Sequence, residues 1–267
     1  MDVNTLFQAA LLGIVEGLTE FLPVSSTGHL ILLIELLHFE GPKGHVFEVV
    51  IQLGAILAIC WVYRVRLWDA AIGAPKDKGK QRFIANILIG FLPAAIIGAL
   101  LHEYIKTLLF NPWVVSVMLI VGGVIILLVE RYKPEPLYQE IEAFSWKLAL
   151  KIGFCQALAM IPGTSRSGAT IMGALLLRVE RKAATEYSFF LAIPTMLGAT
   201  VYDLSKNIEH LTLDGWGVIA VGFIAAFVAA MIMVRWAIRF IARHGFTPFA
   251  YYRMLLGGVM LTLLLAT

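Results

Sequence analysis

The chain has 267 residues, 60% of them hydrophobic and 15% charged, and a formal net charge of +3. A soluble domain carries about 25% charged residues, so this composition excludes an ordinary water-exposed globule and makes lipid the expected solvent. No basic tail suggests nucleic-acid binding, and Cys60 and Cys155 both lie in apolar stretches, where buried thiols are expected in place of a disulfide framework.

The first apolar region, about 3 to 39, starts with Asp2 where a signal peptide would carry basic residues, and it runs into Glu16 and Glu20 with no small-residue cleavage site. It is expected to stay in the mature protein. The segment Pro23-Val24-Ser25-Ser26-Thr27-Gly28 interrupts it midway, and the two halves are too short to span a core of roughly 30 Å at about 1.5 Å per residue. A re-entrant helix-loop-helix is the expected form. Such a break is tolerated at membrane depth where protein or a water-filled cavity satisfies the freed backbone groups.

Three spans follow, at about 45 to 63, 83 to 101 and 112 to 130. A second interrupted region covers about 146 to 178, broken by Pro162-Gly163-Thr164-Ser165-Arg166-Ser167-Gly168, and then come spans at about 183 to 204, 216 to 238 and 247 to 266. The fold expected is therefore an all-α polytopic membrane protein with six transmembrane helices and two re-entrant hairpins. It forms one membrane-embedded domain, with halves of about 1–130 and 146–267 joined by a cytoplasmic loop, 131–145.

Arg64, Arg66, Lys76, Lys78, Lys80, Arg82, Arg131, Lys133, Lys147, Lys151, Arg178, Arg181, Lys182, Arg235, Arg239 and Arg243 all fall on one side if the first full span starts outside, against Lys43, Lys106 and Lys206 on the other. The positive-inside rule makes the richer side cytoplasmic. The first hairpin then enters from outside and the second from the cytoplasm. Each half reads as one hairpin plus three spans, and three is odd, so the halves are inverted. With Pro23 aligned on Pro162 the Ser-rich loops correspond, and Glu48 and Glu186 follow at similar distances. Inverted repeats with broken helices place a site near the bilayer midplane.

Glu16 and Glu20 share a helix face at i, i+4 just before Pro23 ends the helix. Ionisable groups in lipid cost about 2.5 to 3.5 kcal/mol each on insertion scales, which argues for a functional pair that holds a divalent cation or divides acid and base roles. Ser25 is a natural N-cap, with Ser26, Thr27 and Gly28 opening the next helix; Thr164 or Ser165 plays that part before Arg166, Ser167 and Gly168. Each loop thus offers free amides and the positive end of a helix dipole to phosphate oxygens.

Arg166 is the only basic residue in the second loop, and its planar guanidinium suits bidentate phosphate contact; the competing role is an ion pair with Glu16, Glu20 or Glu186. His29 is a candidate proton donor or acceptor or else a structural histidine. Glu48 and Gln52 share a face of the next span and are read, with Glu186, as lining groups rather than reacting ones. Arg253 and Asp203 are read as packing or end effects.

The segments E-G-L-T-E-F-L-P-V-S-S-T-G-H (16 to 29), F-E-V-V-I-Q-L-G (47 to 54) and P-G-T-S-R-S-G-A-T (162 to 170) closely resemble those of the bacterial undecaprenyl-diphosphate phosphatases, also called bacitracin-resistance proteins, over nearly the whole chain. The resemblance implies removal of the terminal phosphate of a C55 isoprenoid diphosphate to regenerate the monophosphate carrier of cell-wall synthesis. It also implies an inner-membrane location, a divalent cation (Mg2+ or Ca2+), and bacitracin acting by sequestering the lipid; the positive-inside count makes the site face the periplasm. Carried onto this chain, the acidic motif is Glu16 and Glu20, the hydroxyl and histidine motif is Ser25, Ser26, Thr27 and His29, and the arginine motif is Ser165, Arg166 and Ser167. The nucleophile stays open among Ser26, His29 and water, and a homodimer stays open too. The competing class is a lipid or small-anion transporter or flippase using the same midplane anion site.

Overall fold

A computed structural model describes residues 3–41, 46–104, 111–207 and 215–266, so Lys43 and Lys106 lie outside the described residues, as does the side chain of Lys206. Within them the chain is helical: α1 (Val3–Thr19), α2 (Ser26–Leu37), α3 (Val46–Val62), α4 (Arg64–Gly73), α5 (Lys78–Tyr104), α6 (Pro112–Tyr132), α7 (Trp146–Ala157), α8 (Arg166–Leu176), α9 (Arg181–Asn207), α10 (Trp216–His244) and α11 (Thr247–Ala266). Short 3-10 turns at Ile141–Ala143 and Leu158–Met160 flank α7.

Four helices are long and apolar enough to cross a bilayer alone: α5, α6, α10 and α11. α3 joins them when counted with α4, which departs from it at 70°. α9 has 27 residues but is not among those four, because Tyr187, Ser188, Pro194, Thr195 and Thr200 dilute its hydropathy. The reason is its place in the fold. Tyr187, Phe189, Phe190, Leu191 and Ala192 are fully buried, so the helix faces protein where α5 and α6 face lipid, and it has no need of an apolar surface all round.

α4 lies in the stretch read from sequence as a loop. Val65, Trp68 and Ile72 stand on one face and are all exposed, while Arg64 and Arg66 flank them. An amphipathic turn of helix with an exposed Trp suits a membrane interface.

The charged helix ends are tied together at one end of the molecule. Arg66 of α4 pairs with Glu142 at 2.5 Å and with Glu186 of α9 at 3.0 Å. Glu130 of α6 accepts from Arg181 of α9 at 2.5 Å and from the Phe246 amide in the α10–α11 turn at 2.8 Å, and it also pairs with Lys133. The 131–145 connection is pinned there as well, through an isolated bridge between Tyr138 and Val179.

That end holds both the start of α7 and the finish of α8, so the second broken segment leaves it and comes back. The first does the same at the other end, where Gln8 of α1 donates to the Leu37 carbonyl of α2 at 2.8 Å and Phe39 meets Phe47 at the start of α3 at 4.9 Å. The packing has a matching internal pattern. α1 lies on α10 as α7 lies on α5; α3 packs on α10 as α9 packs on α5; α3 meets α9, and α6 meets α11. Exchanging the two halves converts each pairing into another or into itself.

Candidate functional site

The tips of the two hairpins meet in the middle of the bundle. Their helix starts are built alike. Ser25 and Ser165 both sit in the left-handed region, at φ 67° and 72°, and each side chain accepts from the amide three residues on, Gly28 at 3.4 Å and Gly168 at 3.2 Å. A non-glycine residue held there costs about 1 to 3 kcal/mol and persists where its surroundings fix it. The structure thus pairs Ser25 with Ser165 and Ser26 with Arg166, one residue out of step with the Pro23–Pro162 alignment.

The surroundings that fix it are the loops themselves. Ser167 donates to the Leu22 carbonyl at 2.6 Å, and Ser165 stands 3.0 Å from the Ser167 hydroxyl and 3.3 Å from the same carbonyl. Ser165 and Ser167 therefore tether the second loop to the first. Gly163, at φ 88°, has space for no side chain: a Cβ there would stand 2.5 Å from the Val115 carbonyl of α6.

Glu20 joins the chemistry of the two loops. One carboxylate oxygen accepts from the Ser26 hydroxyl at 2.5 Å and the other from Arg166 Nη2 at 3.2 Å. Arg166 also donates to the Ser188 carbonyl at 2.8 Å, contacts Met196 Sδ at 3.3 Å and lies 5.8 Å from the Phe21 ring centroid. Its Nε finds no hydrogen-bond partner among the described residues. Of the competing ion pairs read from sequence, the one with Glu20 is present, whereas Glu186 is engaged by Arg66.

A polar cavity of about 190 Å3 opens between these groups, lined by Glu20, Ser25, Ser26, Thr27, Ser165, Arg166 and Gln52, among others. Glu16, His29, Glu48, Gly28, Ser167 and Gly168 are not on its wall. Glu16 is 1% exposed, one turn below Glu20, and neither of its carboxylate oxygens has a partner among the described residues. A buried carboxylate left so needs a proton or a cation. Glu48 and Gln52 come up on one face of α3, and only Gln52 reaches the cavity.

His29 is occupied on both sides, by the Ser25 carbonyl at Nδ1 (2.7 Å) and by the Tyr252 hydroxyl at Nε2 (2.7 Å), with its ring stacked on that of Tyr252. Because a carbonyl can only accept, the proton of a neutral ring belongs on Nδ1. That arrangement braces the first turn of α2.

A second, mostly apolar cavity of about 370 Å3 runs between α5, α7 and α9 and shares Ala159, Arg166, Thr195 and Ala199 with the first. It lies on the C-terminal stretches of α5 (Phe91–Ala99) and α9 (Thr195–Asp203), away from the basic end. Asp203 is therefore a wall residue as well as an end residue.

Sequence reasoning missed Ser188, Thr195 and Gln156, whose amide donates to the Thr195 hydroxyl at 3.1 Å, since none sits in a recognisable motif. It also misjudged Arg253. That side chain is 1% exposed and bonded to both loops, far more than an end effect; an arginine inside an apolar helix was the available signal.

The family described as bacitracin resistance protein BacA matches residues 9–259. The chain is 54% identical to undecaprenyl-diphosphatase 2 of Paramagnetospirillum magneticum over 97% of this chain and 99% of that protein. It is 52% identical to the undecaprenyl-diphosphatase of Parvibaculum lavamentivorans (98% and 97%) and 53% identical to that of Aromatoleum aromaticum (98% and 95%).

Proposed function

The chain belongs to the bacitracin resistance protein BacA family, and we propose on that premise that its central cavity removes the terminal phosphate of undecaprenyl diphosphate, leaving undecaprenyl phosphate and inorganic phosphate. It is a membrane phosphatase that returns the lipid carrier to cell-wall synthesis and thereby confers bacitracin resistance. The observation that supports this most is the pair of cavities sharing Arg166: a polar one sized for a diphosphate, and an apolar one beside it suited to the first isoprenoid units.

Ser26 is the nucleophile in this reading. Its hydroxyl proton passes to the Glu20 carboxylate, already 2.5 Å away, as Oγ attacks the terminal phosphorus and the bond to the bridging oxygen breaks. Undecaprenyl phosphate departs, and water then hydrolyses the phosphoseryl ester. Arg166 and the N-terminal amides of α2 and α8 neutralise the developing charge, the dominant contribution in phosphoryl transfer. His29 holds the turn that carries Ser26. Ser165 and Ser167 hold the two loops together.

A divalent cation, Mg2+ or Ca2+, fits the unpartnered Glu16 carboxylate next to Glu20. No group of three or more His, Cys, Asp or Glu among the described residues could hold one alone. Glu20 would supply a carboxylate at the cavity wall and Glu16 a second one behind it, with water completing the shell, as hard cations accept. When bound, it would neutralise phosphate charge.

The two hairpins are re-entrant in this reading, and the halves are inverted repeats, as their reciprocal packing suggests. With the basic ends cytoplasmic, the apolar cavity lies toward the periplasmic side of the inner membrane, and the polar one opens between the hairpin tips. Labelling of a Ser26→Cys protein from the outside tests that orientation; reactivity only from the cytoplasm refutes it. The decisive functional assay is phosphate release from the lipid diphosphate by purified, detergent-solubilised protein, with and without chelator. Release that stops with chelator is expected. A transporter would bind the lipid and release no phosphate.

A further inference from the structure

Arg253 lies in the second turn of α11, fully enclosed, and every partner of its guanidinium among the described residues is a backbone carbonyl. Nε donates to Leu119 at 2.9 Å; Nη1 donates to Pro23 at 3.1 Å and Thr164 at 3.2 Å; Nη2 donates to Met118 at 3.0 Å, Gly163 at 2.8 Å and Thr164 at 3.2 Å. Three places in the chain converge on this group: the tip of the first loop, the tip of the second, and one turn of α6.

The carbonyls at Pro23, Gly163 and Thr164 belong to the broken segments, where helical partners are missing, and lipid offers no substitute. One side chain satisfies all three. Arginine suits this because its five donors form a rigid plane, whereas lysine would bring three donors around one point. The approach is close: a Cβ on Gly122 of α6 would stand 2.3 Å from Arg253 Nη2.

Pro23 lies three residues before Ser26 and Thr164 two before Arg166. The guanidinium therefore fixes the separation of the nucleophile loop from the arginine loop, together with the Ser167–Leu22 bond. We propose that Arg253 is a positioning residue for phosphate release, holding the two half-sites in register without touching the substrate. The proposal rests on the phosphatase reading above. Displacement of reacting groups by about 1 Å costs on the order of 100-fold in rate, and a loosened clasp would produce such a displacement.

The experiment compares Arg253→Lys and Gly122→Ala with the unmodified protein, all purified in detergent and normalised to folded protein by gel-filtration yield. Gly122→Ala leaves the arginine in place and pushes its guanidinium aside. Both variants are expected to lose about 100-fold in kcat with KM within about threefold, since the apolar cavity that grips the tail is untouched. The double variant should lose no more than Arg253→Lys alone, because both act through one group. Hydrogen exchange gives a reading independent of turnover: amides of 24–28 and 163–168 should exchange faster in both variants while α10 is unchanged.

Unchanged kcat per folded molecule with only a lowered melting temperature would overturn the proposal and leave Arg253 a stabilising residue. Unchanged exchange at either loop would overturn it as well. If the unmodified protein releases no phosphate, the phosphatase reading fails, while the exchange data still decide whether Arg253 clasps the loops.

Discussion

Residues 22–28 and 162–168 have a common backbone plan and different chemistry. In each, a serine at positive φ caps the amide three residues on and starts a short helix whose first turn is largely buried, so both present a helix N-terminus to the same cavity. The first loop adds Ser26 and, six residues before it just past the end of α1, Glu20; the second adds Arg166. In the proposed reaction neither set can move a phosphoryl group alone. A nucleophile with its base needs charge neutralisation opposite, and an arginine needs something to attack the phosphorus. The fold supplies the scaffold twice and divides the tools between the copies, with Glu20 bonded to both.

Substitutions that strip one loop of its tool should break the site most completely. Ser26→Ala is expected to lower kcat by about 10^4-fold or more, as removal of other activated serine nucleophiles does, measured as phosphate release; substantial residual turnover would exclude Ser26 as nucleophile. Arg166→Lys keeps the charge in the second loop and loses the fork, so a fall of about 10^2 to 10^3 is expected. Near-normal activity would count against planar recognition of phosphate.

Changes to the joint between the loops should cost less. Ser167→Ala removes the 2.6 Å bond to Leu22 and leaves that buried carbonyl with the longer contact to Ser165, a loss of about 1 to 3 kcal/mol in stability and a modest drop in kcat, readable by thermal melting beside turnover. Tyr252→Phe removes only the hydroxyl on His29 Nε2. It should change kcat less than about tenfold, well within what a structural hydrogen bond contributes, whereas a loss as large as that of Ser26→Ala would mean that His29 handles the reaction's proton.

Much of this was legible because Pro, Gly and Ser in an apolar run have few other meanings. Pro23 and Pro162 located both breaks, the i, i+4 spacing put Glu16 and Glu20 on one face, and the distribution of Lys and Arg matched the end where Arg66 pairs with Glu186 and Arg181 with Glu130. α4 escaped notice because its apolar positions are spaced for an interface and lie among basic residues. The split between Glu16, buried and unpartnered, and Glu20, bonded to Ser26 and Arg166, depends on which side of the helix faces the second loop. The choice between an acid or base and a structural role for His29 could not be read from its motif, because its ring partner Tyr252 lies 223 residues away. Arg253 was illegible for the same reason: its role is set by three carbonyls brought from far along the chain, and a backbone carbonyl leaves no mark in a sequence.

The claim that both loops build one active site is tested most directly by single-turnover phosphate release from undecaprenyl diphosphate, comparing the purified unmodified protein with Ser26→Ala and Arg166→Lys while lipid binding is followed in parallel. Both variants should bind the lipid and fall to near-background release. Turnover close to the unmodified rate in either one would place the chemistry in a single loop and contradict the account.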